Sequence, residues 1–281
     1  MPELPEVETI RRQLAPAVER RRITSFEVLD PLWCRPLAPA ELADVVIGRT
    51  VSRLARRGKY LDWQLGDEIH LLMHLRMTGT LLLGPAQQPP YARVRIGLGA
   101  HETLWFCDPR RFGTGQLIAG DAALEHFLEA RLGPEPFEAG WSADYLRARA
   151  RGRRGPIKSF LLDQRNVAGV GNIYADEALF RAGVHPLRPA GSLRPAQYAL
   201  LAAAVIEVLE LGIDAKGASI DDFRHLDGAR GSFQDRFLVH RRQGEACPNC
   251  GTVIEKIVVG GRGTYLCRHC QTTPRRRPAA G

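Results

Sequence analysis

The sequence lacks any long apolar run. No stretch approaches the roughly 18 uninterrupted apolar residues that a membrane-spanning helix needs. The N-terminus is acidic and has no apolar segment of the kind found in secretory signal peptides. Internal repeats are also absent. We therefore expect neither a membrane span nor a cleaved leader in this chain of 281 residues, which is long enough for two domains and a sizeable core.

Cysteine is scarce, with six residues in the chain. Cys34 and Cys107 are isolated, and we expect them to be small buried apolar side chains. The others form two C-x-x-C pairs, Cys247 with Cys250 and Cys267 with Cys270. Two such pairs with sixteen residues between them predict one structural Zn²⁺ held by four thiolates, in a reducing compartment.

The segment between the cysteine pairs predicts a β-hairpin. Residues 253–259 read as one strand and 264–267 as the return strand. We expect 260–263 to form the turn, with Arg262 at its exposed tip. So small a unit has no core of its own and needs the metal to fold.

Positive charge is in excess. The net charge is +8 and the sequence pI is about 9.5. Basic residues also cluster, at 20–22, 56–57, 110–111, 147–154, 241–242 and 275–277. One such run is usually a solvated surface, but six of them favour a nucleic-acid partner.

The hydrophobic pattern divides the chain into β-rich and helical parts. Residues 23–119 contain short apolar runs separated by Gly and Pro, which predicts an antiparallel β-sandwich or barrel. Within it, alternate residues are apolar from Ile69 to Leu75. A helix is expected at 122–130, and helices also at 156–163, from Asn172 as a cap, and from Pro195 to Gly212. We predict an α+β protein of two domains.

The first residues carry a possible nucleophile. Removal of Met1 would leave Pro2 as a free secondary amine, which is far less protonated at neutral pH than a lysine and can form an iminium directly. Glu3 is a candidate proton donor beside it. Val7, Ile10 and Leu14 then lie on one helical face. A chain start that simply leads into a helix explains the same residues.

Five motifs and the four-cysteine hairpin together resemble the bacterial formamidopyrimidine-DNA glycosylases, which are DNA-repair glycosylase/lyases. The motifs are PELPEVE at 2–8, GKYL at 58–61, HLRMTG at 74–79, DPRRFG at 108–113 and VAGVGNIYA at 167–175. The resemblance spans nearly the whole chain. It implies an N-terminal β-sandwich with flanking helices at 1–131, a basic linker at 132–155, a helix-two-turn-helix domain with a lesion-capping loop at 156–236, a zinc hairpin at 237–271 and a basic tail at 272–281.

The resemblance also implies a reaction. Pro2 would attack C1′ of a damaged purine nucleotide and hold the sugar as an iminium, and Glu3 would protonate the opening ring. β- and δ-elimination would then cleave both sides of the abasic site. Lys59 matches the second catalytic amine of the family, and Arg262 matches the hairpin arginine that grips phosphates.

Residues for DNA binding follow from the same resemblance. Met77, Arg110 and Phe112 match the wedge that fills the gap left by a flipped base. Arg154, Lys158 and Asn172 match phosphate contacts. Many family members carry Lys-His-Asp-His where this chain reads Pro-Tyr-Ala-Arg at 90–93, so Tyr91 or Arg93 is expected to replace the histidine contact. Ser232 replaces a common aromatic in the lid at 228–233.

Three functions fit these observations. The first is a cytoplasmic, monomeric glycosylase/lyase for oxidised purines that acts on double-stranded DNA. The second is a sister-group enzyme for oxidised pyrimidines. Leu4 in the N-terminal motif and the motifs at 108–113 and 172–175 favour the oxidised-purine enzyme over this alternative. The third, a non-enzymatic zinc DNA-binding protein, explains the charge and the cysteines but not Pro2, Glu3 or Lys59.

Overall fold

The computed structural model describes residues 2–84, 87–99, 102–219 and 230–272. The chain divides into two compact units. Unit 1 comprises Met1–Arg131 and Gly212–Gln234, and unit 2 comprises Leu132–Leu211 and Asp235–Gly281. Most of the predicted tail at 272–281 and the start of the predicted lid at 228–233 lie outside the described residues.

Unit 1 is built on two antiparallel sheets. Its described strands are β1 (Ile23–Val28), β2 (Arg53–Arg57), β3 (Tyr60–Gln64), β4 (Ile69–His74), β5 (Thr80–Leu83), β6 (Ala92–Leu98), β7 (Glu102–Cys107) and β8 (Thr114–Ala119). One sheet has the order β1-β6-β7-β5 and the other β2-β3-β4-β8. Side chains of both sheets belong to one core cluster, with Ile96 and Phe106 from the first and Trp63 and Met73 from the second. The predicted α+β class with a β-sandwich is confirmed.

The first helix closes this core. Helix α1 (Leu4–Val18) starts with Pro5 in its first turn, where a missing N–H costs nothing. Val7, Ile10 and Leu14 are completely or almost completely buried and join the core cluster. Burying each such side chain stabilises the fold by about 1.5–3 kcal/mol. The helix start is therefore held in place by the face that the sequence predicted.

Part of the predicted β-rich segment is helical instead. A 3-10 turn covers Pro31–Cys34, and helix α2 covers Pro39–Val46. The second has a proline at its start, and the N–H of Ala38 donates to the carboxylate of Glu41 at 3.1 Å. Proline and a glutamate in the first turn are helix-start signals that the strand-based interpretation of 23–119 overlooked. Helix α3 (Asp121–Glu129) lies one residue earlier than predicted.

Strand β4 is buried on both faces rather than one. Leu71 and Met73 face the core, whereas His70 and His74 on the opposite face are only 4% and 8% exposed. His70 lies between two carboxylates, with Nδ1 3.0 Å from Asp62 and Nε2 2.9 Å from Asp121. The apolar alternation thus identified the strand, and the polar residues between are buried because they have partners.

Unit 2 is mainly helical and ends in a β-hairpin. Its described α-helices and β-strands are α4 (Ala143–Ala150), α5 (Ile157–Leu162), α6 (Asn172–Arg181), α7 (Pro195–Asp214), β9 (Glu255–Val259) and β10 (Arg262–Leu266). The last residues of α7 belong to unit 1. Helix α7 is long and apolar enough to cross a membrane, as core helices of globular proteins also are. Its residues Leu201, Val205 and Val208 are completely buried inside the protein.

Two predicted details of unit 2 were wrong. Gly171 occupies the N-cap of α6, and Asn172 is the first helical residue rather than the cap. The hairpin turn is the two residues Gly260 and Gly261, with φ of 56° and 73°. Two positive φ angles are what a tight type I′ hairpin turn requires, so Arg262 begins the return strand opposite Val259.

Candidate active site

Pro2 and Glu3 lie at the buried start of α1. Both residues are buried, and Glu3 has extended backbone as the N-cap of the helix. The Glu3 N–H donates to the Glu6 carboxylate at 2.8 Å, in a capping box. The predicted nucleophile position and its acidic neighbour are therefore fixed by a helix terminus.

Glu6 also holds a distant part of unit 1. Its Oε1 accepts the N–H of Ala218 at 2.8 Å. Gly217 has a φ of +78°, and a Cβ there would lie 2.9 Å from Cγ of Glu6, so the backbone approaches the helix too closely for a side chain. The described end of the predicted lid joins this segment, with Ser232 N–H donating to Ala215 at 2.9 Å.

Lys59 lies in the two-residue turn between β2 and β3. Gly58 precedes it with a φ of 57°, as hairpin turns with glycine at the first central position allow. Lys59 is only 5% exposed. His74 lies opposite Tyr60, and its Nδ1 accepts the Arg76 N–H at 2.9 Å. Burial, and then the charges of Arg76 and Lys59, lower the pKa of His74 to about 3, so this imidazole is neutral at physiological pH.

One buried carboxylate organises the loops that carry the three predicted wedge residues. Asp108 is completely buried and accepts N–H groups of Arg110, Phe112 and Gly113 at 3.2, 2.8 and 2.7 Å. It also accepts the hydroxyl of Thr78, the neighbour of Met77. Phe112 is 50% exposed, and the Arg110 guanidinium lies 4.9 Å from its ring centre. The structure thus brings these loops together through a residue to which sequence reasoning assigned no role.

The two candidates for the missing histidine contact differ in exposure. Tyr91 is 60% exposed and has a φ of 60°. Arg93 donates from Nε to the carbonyl of Asp108 at 2.9 Å and is largely buried. Tyr91 is therefore the more accessible of the two.

Arg111 has a structural role that sequence reasoning missed. Its Nε and Nη2 bind the carboxylate of Asp30 at 2.6 and 2.9 Å. The hydrogen bond from Arg111 is the largest influence on Asp30 and lowers the pKa of that carboxyl. Arg110 and Arg111 look alike in the sequence, but only Arg111 is tied to a carboxylate among the ion pairs of the described residues.

Lys158, predicted to be a phosphate contact, is buried in an ion pair. Its ammonium is completely buried, 2.7 Å from Oδ1 of Asp176 and 2.7 Å from the hydroxyl of Thr264. It also donates to the carbonyl of Gly263 at 3.1 Å. A phosphate contact would require this ion pair to open, so in the structure Lys158 links α5 to the hairpin. No sequence pattern around Lys158 indicates that it binds Gly263, which is 105 residues away.

The other predicted residues of unit 2 are more accessible. Arg154 and Arg262 are exposed, and Asn172 is partly exposed. The side-chain amide of Asn172 donates to the carbonyl of Gly263 at 3.0 Å, beside Arg262. Pro2, Glu3, Lys59, Tyr91, Arg93 and the wedge residues belong to unit 1, whereas these three and the cysteines belong to unit 2.

Four thiols meet at the base of the hairpin. The Sγ atoms of Cys247, Cys250, Cys267 and Cys270 all lie within 4.8 Å of one another, and the shorter separations are 3.5–3.8 Å. Zn–S bonds of about 2.3 Å in a tetrahedron place sulfurs about 3.8 Å apart. The geometry fits one structural Zn²⁺ with these four ligands, as predicted.

Comparisons with known proteins agree along the chain. Residues 1–115 match the formamidopyrimidine-DNA glycosylase N-terminal domain, 132–224 match the H2TH domain of the same enzymes, and 244–273 match the zinc finger found in FPG and IleRS. The formamidopyrimidine-DNA glycosylases of Syntrophotalea carbinolica and Stenotrophomonas maltophilia are each 44% identical, over 96% of this chain and 100% of theirs.

Solved structures give the same result. A mutant of the Lactococcus lactis FPG, in complex with DNA containing Fapy-dG, superposes with a TM-score of 0.91 at 37% identity, over 97% of this chain and 100% of that one. The wild-type L. lactis enzyme with oxidised-pyrimidine DNA superposes at 0.90 and 36% identity, over 97% and 100% of the two chains.

A β-sandwich with Pro2-Glu3 before its first helix, an H2TH unit and a four-cysteine finger define a zinc-bearing DNA glycosylase with AP lyase activity. The chain belongs to the formamidopyrimidine-DNA glycosylase family. It is an enzyme of oxidised-base excision repair, and its partner is damaged DNA. These findings confirm the predicted family, enzyme class and zinc, and they exclude the non-enzymatic alternative.

Proposed function

We propose that this enzyme removes oxidised purines, such as 8-oxoguanine and formamidopyrimidines, through a covalent bond between Pro2 and deoxyribose. Once Met1 is removed, the Pro2 nitrogen attacks C1′, the base leaves, and an iminium remains. Glu3 supplies a proton to the opening ring oxygen. The iminium acidifies the C2′ hydrogens, so the same intermediate leads to β- and then δ-elimination.

The observation that carries this proposal is the position of Pro2-Glu3 at a fixed helix start. Glu6 binds the Glu3 N–H, and the apolar face of α1 anchors the helix in the core. A reactive amine held by a rigid element has less orientational freedom to lose when it attacks. The L. lactis enzyme in complex with Fapy-dG DNA supports a purine substrate.

Other residues would hold the DNA. We assign Lys59 as the second amine at the lesion, and Arg262 as a phosphate grip that assists the last elimination. Tyr91 or Arg93, Arg154 and Asn172 would contact phosphates, and Lys158 would join them only if its ion pair opened. Met77 and Phe112 would fill the gap that base flipping leaves, while Arg110 would contact the opposite base.

The bounds of the domains, linker, zinc hairpin and tail predicted above belong to the same proposal. We infer that the enzyme works as a monomer in the bacterial cytoplasm, associated with the nucleoid through its DNA binding. The positive net charge and the cysteine site support that location.

Borohydride trapping tests the chemistry. Wild-type protein should become covalently linked to a duplex with 8-oxoguanine opposite cytosine, and Pro2→Gly should lose most trapping while still binding that duplex. Pro5→Ala is a matched control, because it changes another proline of the same helix start and leaves the terminal amine intact. Mass spectrometry of the active protein should show Pro2 as the first residue. A retained Met1, or an adduct at another residue only, would refute the mechanism.

The second candidate substrate class is oxidised pyrimidines, since the L. lactis enzyme has also been seen with such DNA. The same trapping assay separates the two. Trapping on oxidised-pyrimidine duplexes alone would replace the purine proposal.

A further inference from the structure

The carboxylate of Glu8 on α1 holds three guanidinium groups. Arg11 binds it through Nε and Nη2 at 2.9 and 2.8 Å, Arg12 through Nε at 2.8 Å and Arg56 through Nε at 3.0 Å. Glu8 is 7% exposed. Arg11 and Arg12 belong to the same helix as Glu8, whereas Arg56 comes from strand β2, 48 residues along the chain. One carboxylate therefore ties the first helix to the sheet.

Arg56 binds two places at once. While Nε donates to Glu8, Nη1 donates to the carbonyl of Gly58 at 3.0 Å. The Arg56 side chain is 10% exposed, so water competes little for either bond. A planar guanidinium with both ends engaged has little rotational freedom. Its geometry fixes the carbonyl that immediately precedes Lys59.

The turn that carries Lys59 is short. Two residues connect β2 and β3, and Gly58 has the positive φ that makes such a turn possible. Glycine also gives the turn freedom that a hydrogen bond on its carbonyl removes. The ammonium of Lys59 acts electrostatically on His74, across the β3–β4 pairing of Tyr60 with His74.

We propose that Glu8 and Arg56 are positioning residues for Lys59: the bridge from the Glu8 carboxylate through the Arg56 guanidinium to the Gly58 carbonyl sets where the Lys59 amine lies relative to α1. Pro2 and the N-cap Glu3 lie immediately before helix α1 (Leu4–Val18), so the bridge gives the amine of Lys59 and the nucleophile a common support. The inference rests on the proposed function, in which Lys59 acts at the lesion.

The chain offers a matched pair of variants. Arg56→Met and Arg11→Met each remove one guanidinium from Glu8 and leave two behind, so neither variant creates a buried unpaired carboxylate. Only Arg56→Met also removes the bond to Gly58. We expect Arg56→Met to lower single-turnover excision of 8-oxoguanine about ten- to hundredfold, as small misplacements of a reacting group do. Arg11→Met should stay within about twofold of wild type.

A double-mutant cycle then separates positioning from general damage to the fold. In a Lys59→Met background, Arg56→Met should cause almost no further loss, because the group that it positions is gone. Glu8→Gln should behave like Arg56→Met in both backgrounds. Excess enzyme and long incubations allow the excision rates of slow variants to be measured. Two controls show whether each variant is folded: its thermal unfolding and its binding to DNA with an uncleavable abasic analogue.

The outcomes are decisive. Equal losses for Arg56→Met and Arg11→Met would overturn the proposal, and so would an Arg56→Met loss of the same size with and without Lys59. Full activity of Lys59→Met would remove its premise. Failure of the wild-type protein to trap on damaged DNA would instead refute the proposed function, so the two failures are distinguishable.

Discussion

Asp108 provides a sharp test of how the wedge loops are built. Its Oδ2 accepts the N–H groups of Phe112 and Gly113, and its Oδ1 accepts the N–H of Arg110 and the Thr78 hydroxyl. Asp108→Asn preserves the shape but replaces one oxygen with a donor. If the amide oxygen of the variant keeps the two short bonds from Phe112 and Gly113, the amide NH₂ group faces the Arg110 N–H, which then has no acceptor there. The Thr78 hydroxyl can turn to accept a hydrogen bond from this NH₂ group.

The magnitude follows from these bonds. A hydrogen bond to a charged group contributes about 1.5–3 kcal/mol and one between neutral groups about 0.5–1.5 kcal/mol. Weakening two bonds by about 1–1.5 kcal/mol each and losing one of about 1.5–3 kcal/mol should lower the unfolding free energy by about 3.5–6 kcal/mol, which corresponds to roughly ten degrees or more in the Tm of a unit of this size. Thr78→Val removes only the hydroxyl bond and should cost about 1–2 kcal/mol.

Urea unfolding measures the stability, and DNA binding measures the consequence. If the loops carry the wedge, Asp108→Asn should weaken binding to a duplex with a tetrahydrofuran abasic analogue more than binding to undamaged duplex, because the wedge enters DNA only where a base is out of the stack. A stability within about 0.5 kcal/mol of wild type would refute the role of Asp108 in holding the loops. Equal losses on both duplexes would refute its link to the wedge.

Three further predictions concern other sites. Chelation of zinc should unfold the hairpin, seen by circular dichroism and proteolysis, and weaken DNA binding; unchanged affinity of the metal-free protein would contradict this. Because burial and then Arg76 and Lys59 lower the pKa of His74 from 6.5 to about 3, its stabilising contribution is complete above pH 6.5 and is lost as the pH falls toward 3. Wild type should therefore have a higher unfolding free energy than His74→Gln, and this difference should shrink by up to about 1.4 kcal/mol per pH unit below about pH 6.5. A difference that stays constant from about pH 8 to about pH 4 would contradict the prediction. Lys158→Met leaves the Asp176 carboxylate buried without the Lys158 ammonium and should lower the unfolding free energy by about 3–5 kcal/mol. Adding Asp176→Asn should recover part of that loss. A loss below about 1 kcal/mol would show that the ion pair contributes little to stability.

Features with a local signature could be predicted from the sequence. The buried face of α1 follows from apolar residues at helical spacing, and the zinc site follows from two cysteine pairs. Helix α2 was missed even though Pro39 and Glu41 mark its start, because a series of short apolar runs around it suggested strands. The Gly260-Gly261 turn was placed too broadly, since a run of three glycines and an arginine does not say which two residues make the turn.

Partners far apart in the sequence could not be predicted from it. Asp108 binds Thr78 across 30 residues, Glu8 binds Arg56 across 48 and Lys158 binds Gly263 across 105. No periodicity connects such pairs, because the fold brings them together. Resemblance to a family identified several of these residues within motifs, but it gave Asp108 and Glu8 no role and did not indicate the buried ion pair of Lys158 with Asp176.

The basic residues differ in whether their charge is already paired within the protein. Arg56, Arg111 and Lys158 each bind a carboxylate, whereas Arg110, Arg154 and Arg262 are exposed and have no carboxylate partner within the described part of the chain. A cation releases counterions from DNA only where it contacts a phosphate. Each such contact makes the slope of log K against log salt concentration more negative by about 0.9. An arginine already bound to Asp or Glu adds little to that slope, because its charge is neutralised before DNA arrives. The salt dependence of binding should therefore follow the arginines without a carboxylate partner, and substitutions at the paired arginines should change stability and geometry instead.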